Sequence, residues 1–328
     1  IKSLQHPTGL FSASKKTVNT GYDLAWIRDN IYISFGLEAI NDTESLNRLF
    51  AALLDVLLKH EYKIERAIEK KPKHAFQYIH ARYHPLTFDE IDDPWGNKQN
   101  DAIGALLFRI ADLKENGVNV LRDENDIGIM QKLVHYLQSI EYWHDKDNGM
   151  WEENDEVHAS SVGACVAGLR KISKIADVPD ELIEKGMEAL NKILPRESKT
   201  KDVDMALLSL IYPYNIVDEK RRDEILYNIE KSLLKERGVI RYKGDKYYNK
   251  DGEAEWTMGL SWLAIIYRNM GIEEKYKFFV NKAIEAMNGK NELPELYLAN
   301  SNEHNENSPL GWSQALFLDS ILGQSKSL

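Results

Sequence analysis

The feature that most constrains the fold is a succession of amphipathic segments joined by short, similar connections. In eleven segments apolar residues recur at steps of three and four, the spacing that places them on one face of an α-helix. The predicted helices are residues 25–40, 44–67, 99–113, 125–142, 158–176, 180–194, 203–212, 219–234, 255–269, 273–287 and 310–322. Residues 1–5 are expected to be the end of a twelfth helix, which would then be incomplete at its N-terminus.

Four of the connections contain a similar extended element, and three of these begin with glycine followed by two apolar residues. The four elements are residues 9–11, 149–151, 238–240 and 292–294. Repeated helix–extended turn–helix units predict a closed ring of helical hairpins, in which the loops before the inner helices form a funnel at one end. No linker or low-complexity tract divides the chain, so we expect a single domain spanning residues 1–328.

Charge and cysteine content argue against several classes of partner. The net charge of −10 disfavours nucleic acid and anionic membrane surfaces, whereas a neutral polysaccharide is indifferent to it. No apolar run approaches the roughly 20 residues that a membrane-spanning helix needs. Cys165 is the only cysteine, so an intrachain disulfide is excluded and a reducing, cytoplasmic location is expected. The oligomeric state is not predicted by any pattern in the sequence.

Two carboxylate motifs point to sugar chemistry. Glu152 and Glu153 directly follow Trp151, and Glu295 lies two residues before Tyr297. Each motif ends an extended turn and is followed by a helix, so the fold can bring the two together. Cleavage of a glycosidic bond requires such a pair, because one carboxyl must be protonated and the other ionised. Aromatic side chains beside them suit the C–H faces of a pyranose ring.

Further clusters of aromatic and charged residues lie where helices begin. A single cluster of this kind is more often packing with a salt bridge, but five of the seven tryptophans lie in helix-opening loops, which favours a shared site. The clusters are Tyr22, Trp26, Arg28 and Asp29; Trp95, Gln99 and Asp101, in a loop expected to be shaped by Pro94 and Gly96; Arg241 with Trp256; and Trp312 after Pro309.

The ordered set of these motifs resembles glycoside hydrolase family 15, the glucoamylases, from about His6 to the C-terminus. Several stretches are closer to the glucoamylase-like domain of the phosphorylase kinase α and β subunits. These are residues 26–30, 80–83, 159–163, 194–196 and 293–297. The resemblance implies an all-α fold, an (α/α)6 barrel, in agreement with the helix count.

The resemblance also implies roles for individual residues. Glu152 would be the general acid, Glu295 the general base that activates water, and Glu153 a contact in the leaving-group subsite. Arg28 and Asp29 would bind hydroxyls of the non-reducing-end glucose. The remaining substrate-binding positions would be Tyr22, Trp26, Trp95, Gln99, Asp101, Trp151, Arg241, Trp256, Tyr297 and Trp312. Apolar burial beside Met150 and Trp151 is expected to favour the protonated form of Glu152.

No cofactor or metal is expected. Residues 145–156 partly resemble a calcium-binding loop, but Gly149 and Met150 occupy positions that require a ligand and a glycine, so an ordinary turn is expected.

The function implied is an inverting, exo-acting α-glucosidase that releases β-glucose from the non-reducing end of its substrate. Malto-oligosaccharides, isomalto-oligosaccharides and trehalose remain open as substrates. The alternative is a non-catalytic glucan-binding or regulatory domain like that of the phosphorylase kinase subunits. The presence of both carboxylates favours the enzyme.

Overall fold

The computed structural model describes residues 1–15, 20–93 and 95–325, so Pro94 lies outside the described residues. Twelve α-helices are present in these ranges. They are α1 (Ile27–Ala39), α2 (Thr43–Lys59), α3 (Glu61–Glu69), α4 (Asn100–Glu115), α5 (Glu124–Ile140), α6 (Ala159–Ile172), α7 (Asp180–Ile193), α8 (Leu208–Ile211), α9 (Glu219–Ser232), α10 (Met258–Asn269), α11 (Glu273–Glu285) and α12 (Gly311–Leu322). Short 3-10 helices span Lys2–Leu4, Ala75–Gln77 and Met205–Leu207.

Six of these helices form a closed inner ring. Helices α1, α4, α6, α8, α10 and α12 contact one another in that order, and α12 returns to α1. The inner helices are buried almost all round, as expected for helices that are apolar on every face. The other helices pack outside them, and α7, for example, buries only the stripe Leu182, Gly186 and Leu190. The fold is the predicted (α/α)6 barrel.

Helices α4 and α6 pack closely against each other within the ring. A Cβ atom added to Gly104 would lie 2.4 Å from the backbone of Ala164 and Cys165, and one added to Gly168 would lie 2.3 Å from the carbonyl oxygen of Gly104. Only glycine therefore permits this spacing of the two backbones. Cys165 lies in the same interface and is fully buried.

Four two-residue strands form two antiparallel pairs at the mouth of the ring. Strand β1 (Ala25–Trp26) pairs with β2 (Arg82–Tyr83), with Trp26 opposite Arg82. Strand β3 (Glu255–Trp256) pairs with β4 (Leu296–Tyr297), with Trp256 opposite Leu296. The strands of both pairs contain or adjoin residues of the predicted site motifs. Their pairing therefore fixes those residues at the entrance to the inner helices.

The sequence prediction was wrong at several helix boundaries. The predicted helix 44–67 is two helices that meet at His60, whose Nε2 lies 2.7 Å from the carbonyl oxygen of Phe88. Residues 25–26 and 255–256 are strands rather than helix, because they pair with distant segments. Residues 203–212 form a 3-10 turn and the short α8, and the chain is extended at Tyr212, the residue before Pro213. Residues 1–5 contain one 3-10 turn.

Among the described residues, no helix is both long and apolar enough to cross a membrane.

Candidate active site

A cavity of about 360 Å³ opens at the mouth of the inner ring. Its size lies within the range of roughly 300–1,000 Å³ that is common for small-molecule sites. The lining residues belong to the starts of α1, α10 and α12 and to the loops between helices, which is where the sequence placed the funnel. Predicted site residues that line it are Tyr22, Trp26, Arg28, Asp29, Trp95, Trp151, Glu152, Glu153, Arg241, Trp256, Glu295 and Trp312.

The loop that carries Glu152 is held in a tight, partly left-handed conformation. Gly149 has a φ of 63°, and a Cβ atom added there would lie 2.9 Å from the His158 ring. Glu152 itself has a φ of 61°, a conformation that costs a non-glycine residue about 1–3 kcal/mol. Asn148 fixes the loop, since its side-chain nitrogen donates to the carbonyl oxygen of Glu153 at 2.8 Å. The rest of the fold therefore determines where the Glu152 carboxyl lies.

The Glu152 carboxyl is surrounded by hydrogen-bond donors. Gln99 Nε2 donates to Oε1 at 2.8 Å, and Arg28 Nη2 lies 3.4 Å from the same oxygen. The indole N–H of Trp95 donates to Oε2. The expectation of an apolar environment for Glu152 was wrong, because these donors from α1 and from the loop before α4 face its carboxyl.

Arg28 organises the polar wall behind Glu152. Its Nη1 donates to Gln99 Oε1 at 2.7 Å and to Asp101 Oδ2 at 3.1 Å. Gln99 and Asp101 are buried and do not line the cavity. The structure thus places them behind Arg28 rather than at the cavity surface, and direct binding of sugar hydroxyls by them stays a prediction. Packing of α1 beside α4 turns them toward the Arg28 guanidinium, where Asp101 balances the buried charge and Gln99 accepts a hydrogen bond.

Glu153 forms a second, separate network. Arg241 Nη2 donates to its Oε1 at 2.9 Å, while Lys201 Nζ and the Tyr242 hydroxyl donate to Oε2 at 2.7 and 2.6 Å. Burial opposes ionisation of Glu153, but Arg241 and Lys201 hold its pKa below the ordinary value. Asp245 binds Arg241 through two oxygens, at 2.7 and 2.6 Å, which fixes the guanidinium at the cavity wall.

Glu295 is fully buried and accepts several hydrogen bonds. The Tyr22 hydroxyl donates to Oε1 at 2.6 Å, and Asn307 Nδ2 donates to Oε2 at 2.8 Å. Asn305 also donates to Oε2, and the Tyr247 hydroxyl lies 3.5 Å from it. Burial raises the pKa of Glu295, and the hydrogen bonds from Tyr22 and the asparagines oppose that increase.

Asp29 has a different environment from the glutamates. It is buried and lines the cavity, yet its carboxyl accepts no side-chain hydrogen bond from any other residue in the described ranges. Burial raises the pKa of Asp29 to about 7, against the opposing effect of Arg28. The charges of Glu152 and Glu295 raise it further. The carboxyl oxygens of Asp29 can therefore accept hydrogen bonds from a molecule bound in the cavity.

Aromatic rings form the apolar part of the wall. Trp151 lies 5.8 Å from Trp256 and 6.3 Å from Trp312, measured between ring centroids. The indole N–H of Trp151 donates to Asp204 at 2.7 Å, which anchors the ring from behind. Tyr297 does not line the cavity, because its strand directs the hydroxyl to the carbonyl oxygen of Ala286, 3.1 Å away, and its role in substrate binding stays a prediction.

Several residues at the site were not predicted. Tyr247 and Lys246 line the cavity, and Asn305 and Asn307 hold Glu295 from outside it. They lie in irregular loops without periodicity, where the visible signals were the aromatic-rich stretch 242–248 and the asparagine-rich stretch 300–307. Arg82, which contacts Trp95, was also missed.

No group of three or more His, Cys, Asp or Glu residues within 1–15, 20–93 and 95–325 has an arrangement that could hold a metal ion. In the calcium-loop-like segment, the ammonium group of Lys98 lies 3.0 Å from Asp145 Oδ2. A protein cation therefore neutralises that carboxylate.

Comparison with known proteins identifies the family. The sequence model described as "Glycosyl hydrolases family 15" matches residues 1–185, which is more than half of the 328-residue chain. The chain therefore belongs to glycosyl hydrolases family 15, and the resemblance seen in its motifs is confirmed.

Relatives and solved structures extend the comparison to the whole chain. A probable phosphorylase b kinase regulatory subunit alpha from Caenorhabditis elegans is 27% identical over 362 residues, covering 91% of this chain and 29% of its own length. The chain thus spans less than a third of that relative. A wild-type glycosidase structure has a TM-score of 0.84 at 18% identity, over 98% of this chain and 93% of that one. The glucoamylase of Saccharomycopsis fibuligera has a TM-score of 0.71 at 14% identity, over 97% and 91%. These structures share the fold.

Proposed function

We propose that this chain is a single catalytic domain, spanning residues 1–328, that hydrolyses α-glucosides from the non-reducing end with inversion. The observation that carries the proposal is the meeting of Glu152 and Glu295 at one cavity, each held by its own set of hydrogen bonds. The two glutamates come from loops that are far apart in sequence, so they approach a bound sugar from different parts of the wall.

Glu152 is the proposed general acid. It would donate its proton to the glycosidic oxygen as the bond to the anomeric carbon breaks, so that the leaving sugar departs as a neutral alcohol. Arg28 and Gln99 hold one carboxyl oxygen of Glu152, and Trp95 holds the other. Their donors would stabilise the carboxylate that remains after the proton has been transferred.

Glu295 is the proposed general base. It would take a proton from a water molecule that attacks the anomeric carbon on the face opposite the leaving group. Tyr22 and Asn307 donate to its carboxylate and favour the ionised form that this role requires. An inverting mechanism needs space for this water, with carboxyl groups roughly 6.5–9.5 Å apart.

The remaining cavity groups suit a glucose ring. Asp29 offers carboxyl oxygens to sugar hydroxyls, and the Arg241 guanidinium, which Glu153 and Asp245 hold in place, offers a donor at the cavity wall.

Variants of the two glutamates test the assignment. Glu152→Gln should lower maltose hydrolysis by about 10²–10⁴-fold but retain much of the activity on α-glucosyl fluoride, because fluoride leaves without a proton. Glu295→Ala should abolish both activities, because water activation is needed in each case. The matched control Glu153→Gln should mainly raise KM. If Glu152→Gln loses the fluoride reaction as severely as the maltose reaction, its assignment as the acid is wrong.

The second candidate function is a glucan-binding regulatory domain. It is favoured by the similarity to a phosphorylase b kinase regulatory subunit over 91% of the chain. In that case the wild-type protein would bind maltodextrin, release no glucose and hydrolyse no fluoride. Retention of both carboxylates in a polar, hydrogen-bonded cavity supports the enzyme instead.

A further inference from the structure

Trp95 forms the outer edge of the cavity on the Glu152 side. Its side chain is 45% exposed, although its indole N–H donates to the Glu152 carboxyl. The neighbouring described residues from 96 to 99 have no regular structure. The backbone of this loop is held against the Glu152 loop, since Asn148 N donates to the carbonyl oxygen of Lys98 at 2.8 Å. The Trp95 ring itself is half exposed, so its direction depends on the side chains that contact its face.

Arg82 supplies that contact. The central carbon of its guanidinium lies 5.3 Å from the ring centroid of Trp95 and 5.3 Å from that of Trp26. Arg82 is only 5% exposed and lies opposite Trp26 in the β1–β2 pair. Its Nη2 donates to Asp93 Oδ2 at 2.9 Å, at the start of the same loop. The guanidinium thus joins a rigid wall of the cavity to the loop that carries Trp95.

We infer that Arg82 is a positioning residue that orients Trp95 and, through the indole N–H, the carboxyl of Glu152. Arg82 does not line the cavity, so it acts through Trp95 rather than on a bound sugar. This inference rests on the proposed function as far as its effect on catalysis is concerned. Its geometric part, the orientation of Trp95, is independent of catalysis.

The chemistry of arginine explains why this residue type is suited to the position. A planar guanidinium stacks on aromatic faces and still donates in its own plane, so it can contact Trp26, Trp95 and Asp93 together. A lysine ammonium keeps the charge, but it is not planar and does not present several donors in a fixed geometry. Arg82→Lys is therefore the substitution that removes the stacking and retains the charge.

Kinetics on two substrates distinguish positioning from a general loss of structure. Arg82→Lys should lower kcat for maltose by on the order of 10- to 100-fold, the effect of misplacing a reacting group by about 1 Å. Its hydrolysis of α-glucosyl fluoride should stay within about twofold of the wild type, because that reaction needs no proton from Glu152. In a Trp95→Phe background the same substitution should lower kcat for maltose little further, since Arg82 acts on Glu152 only through Trp95.

Arg237→Lys is the matched control. The Arg237 guanidinium lies 5.6 Å from the Tyr297 ring beside the other strand pair, and neither residue lines the cavity. We expect its activity on both substrates to equal that of the wild type. An equal loss of maltose and fluoride hydrolysis in Arg82→Lys would overturn the inference, as would additive losses with Trp95→Phe.

Fluorescence separates failure of this inference from failure of the proposed function. If the wild-type protein hydrolyses neither substrate, the proposed function fails, but the position of Trp95 is still measurable by acrylamide quenching. Arg82→Lys should increase the quenching constant, and the increase should vanish in the Trp95→Phe background. An unchanged constant in Arg82→Lys would show that Arg82 does not hold Trp95.

Discussion

The carboxylates of the cavity differ at the scale of single residues because their neighbours differ. Glu153 has cationic partners that lower its pKa, whereas burial raises the pKa of Glu295 and brings that of Asp29 to about 7. Groups of one chemical type are thus held in different protonation equilibria within a single cavity. The pKa of each of these carboxyls therefore follows from its burial and its neighbours rather than from its chemical type.

Tyr22→Phe tests the electrostatics of Glu295. The Tyr22 hydroxyl opposes the effect of burial, so its removal should raise the pKa of Glu295 further. A base is active only when ionised, and activity is lost as the pH falls through its pKa. The acidic limb of the kcat/KM profile should therefore move to higher pH, by about one unit for a hydrogen bond to a charged group.

Tyr297→Phe is the control for this experiment, because its hydroxyl donates to a backbone carbonyl away from the cavity. Its acidic limb should match that of the wild type. A Tyr22→Phe profile that is unshifted, or shifted to lower pH, would contradict the assignment of Glu295 as the base.

Sequence motifs predicted which segments meet at the cavity but not every contact within it. Gln99 and Asp101 belong to a correctly predicted motif, yet they bind Arg28 because α4 packs beside α1. Asn305 and Asn307 were missed because an irregular loop brings them to Glu295. Contacts of these kinds depend on tertiary packing, which sequence periodicity and motif spacing do not predict.

At the scale of elements, the close packing of α4 against α6 fixes part of the ring from which the site residues project. Asn100 and Asp101 begin α4, and His158 and Ala159 stand at the start of α6, just after the Glu152 loop. The distance between these helix starts depends on how closely the two backbones approach at Gly104 and Gly168. Stability and site geometry are therefore linked through two glycines.

Gly104→Ala should destabilise the protein by about 1–3 kcal/mol or more, because the added methyl group would overlap the backbone of α6. Gly128→Ala in α5 is the matched control: no atom lies within 4 Å of its added Cβ, so it should stabilise by up to about 1 kcal/mol. Urea unfolding measures both. A Gly104→Ala protein as stable as the wild type would show that the two helices are not packed this closely.

The sequence predicted the helices well wherever a periodic stripe continued, and the departures have local physical causes. The predicted helix 44–67 divides at His60 as the chain bends around the ring, and residues 25–26 and 255–256 leave the helical state to pair as strands. Strand pairing with a distant segment overrides local propensity. The strands themselves, at two residues each, were too short to show a period.

At the scale of the whole molecule, the closed ring creates one funnel whose walls come from nearly the full length of the chain. Tyr22 lies near its beginning and Trp312 near its end, and both line the same cavity. The ring fold is the part that solved glycosidase and glucoamylase structures share. The proposal that this funnel cleaves a glucan rests on Glu152 and Glu295, which both line the cavity.

The most direct test of the central claim is proton NMR of the wild-type protein during the first minutes of incubation with maltotriose. Attack by water activated by Glu295, on the face opposite the departing sugar, predicts that the first glucose to appear is the β-anomer, followed by slow conversion to the equilibrium mixture. Initial appearance of α-glucose would contradict the inverting mechanism. Bound maltotriose with no glucose released would contradict the claim that this cavity is catalytic.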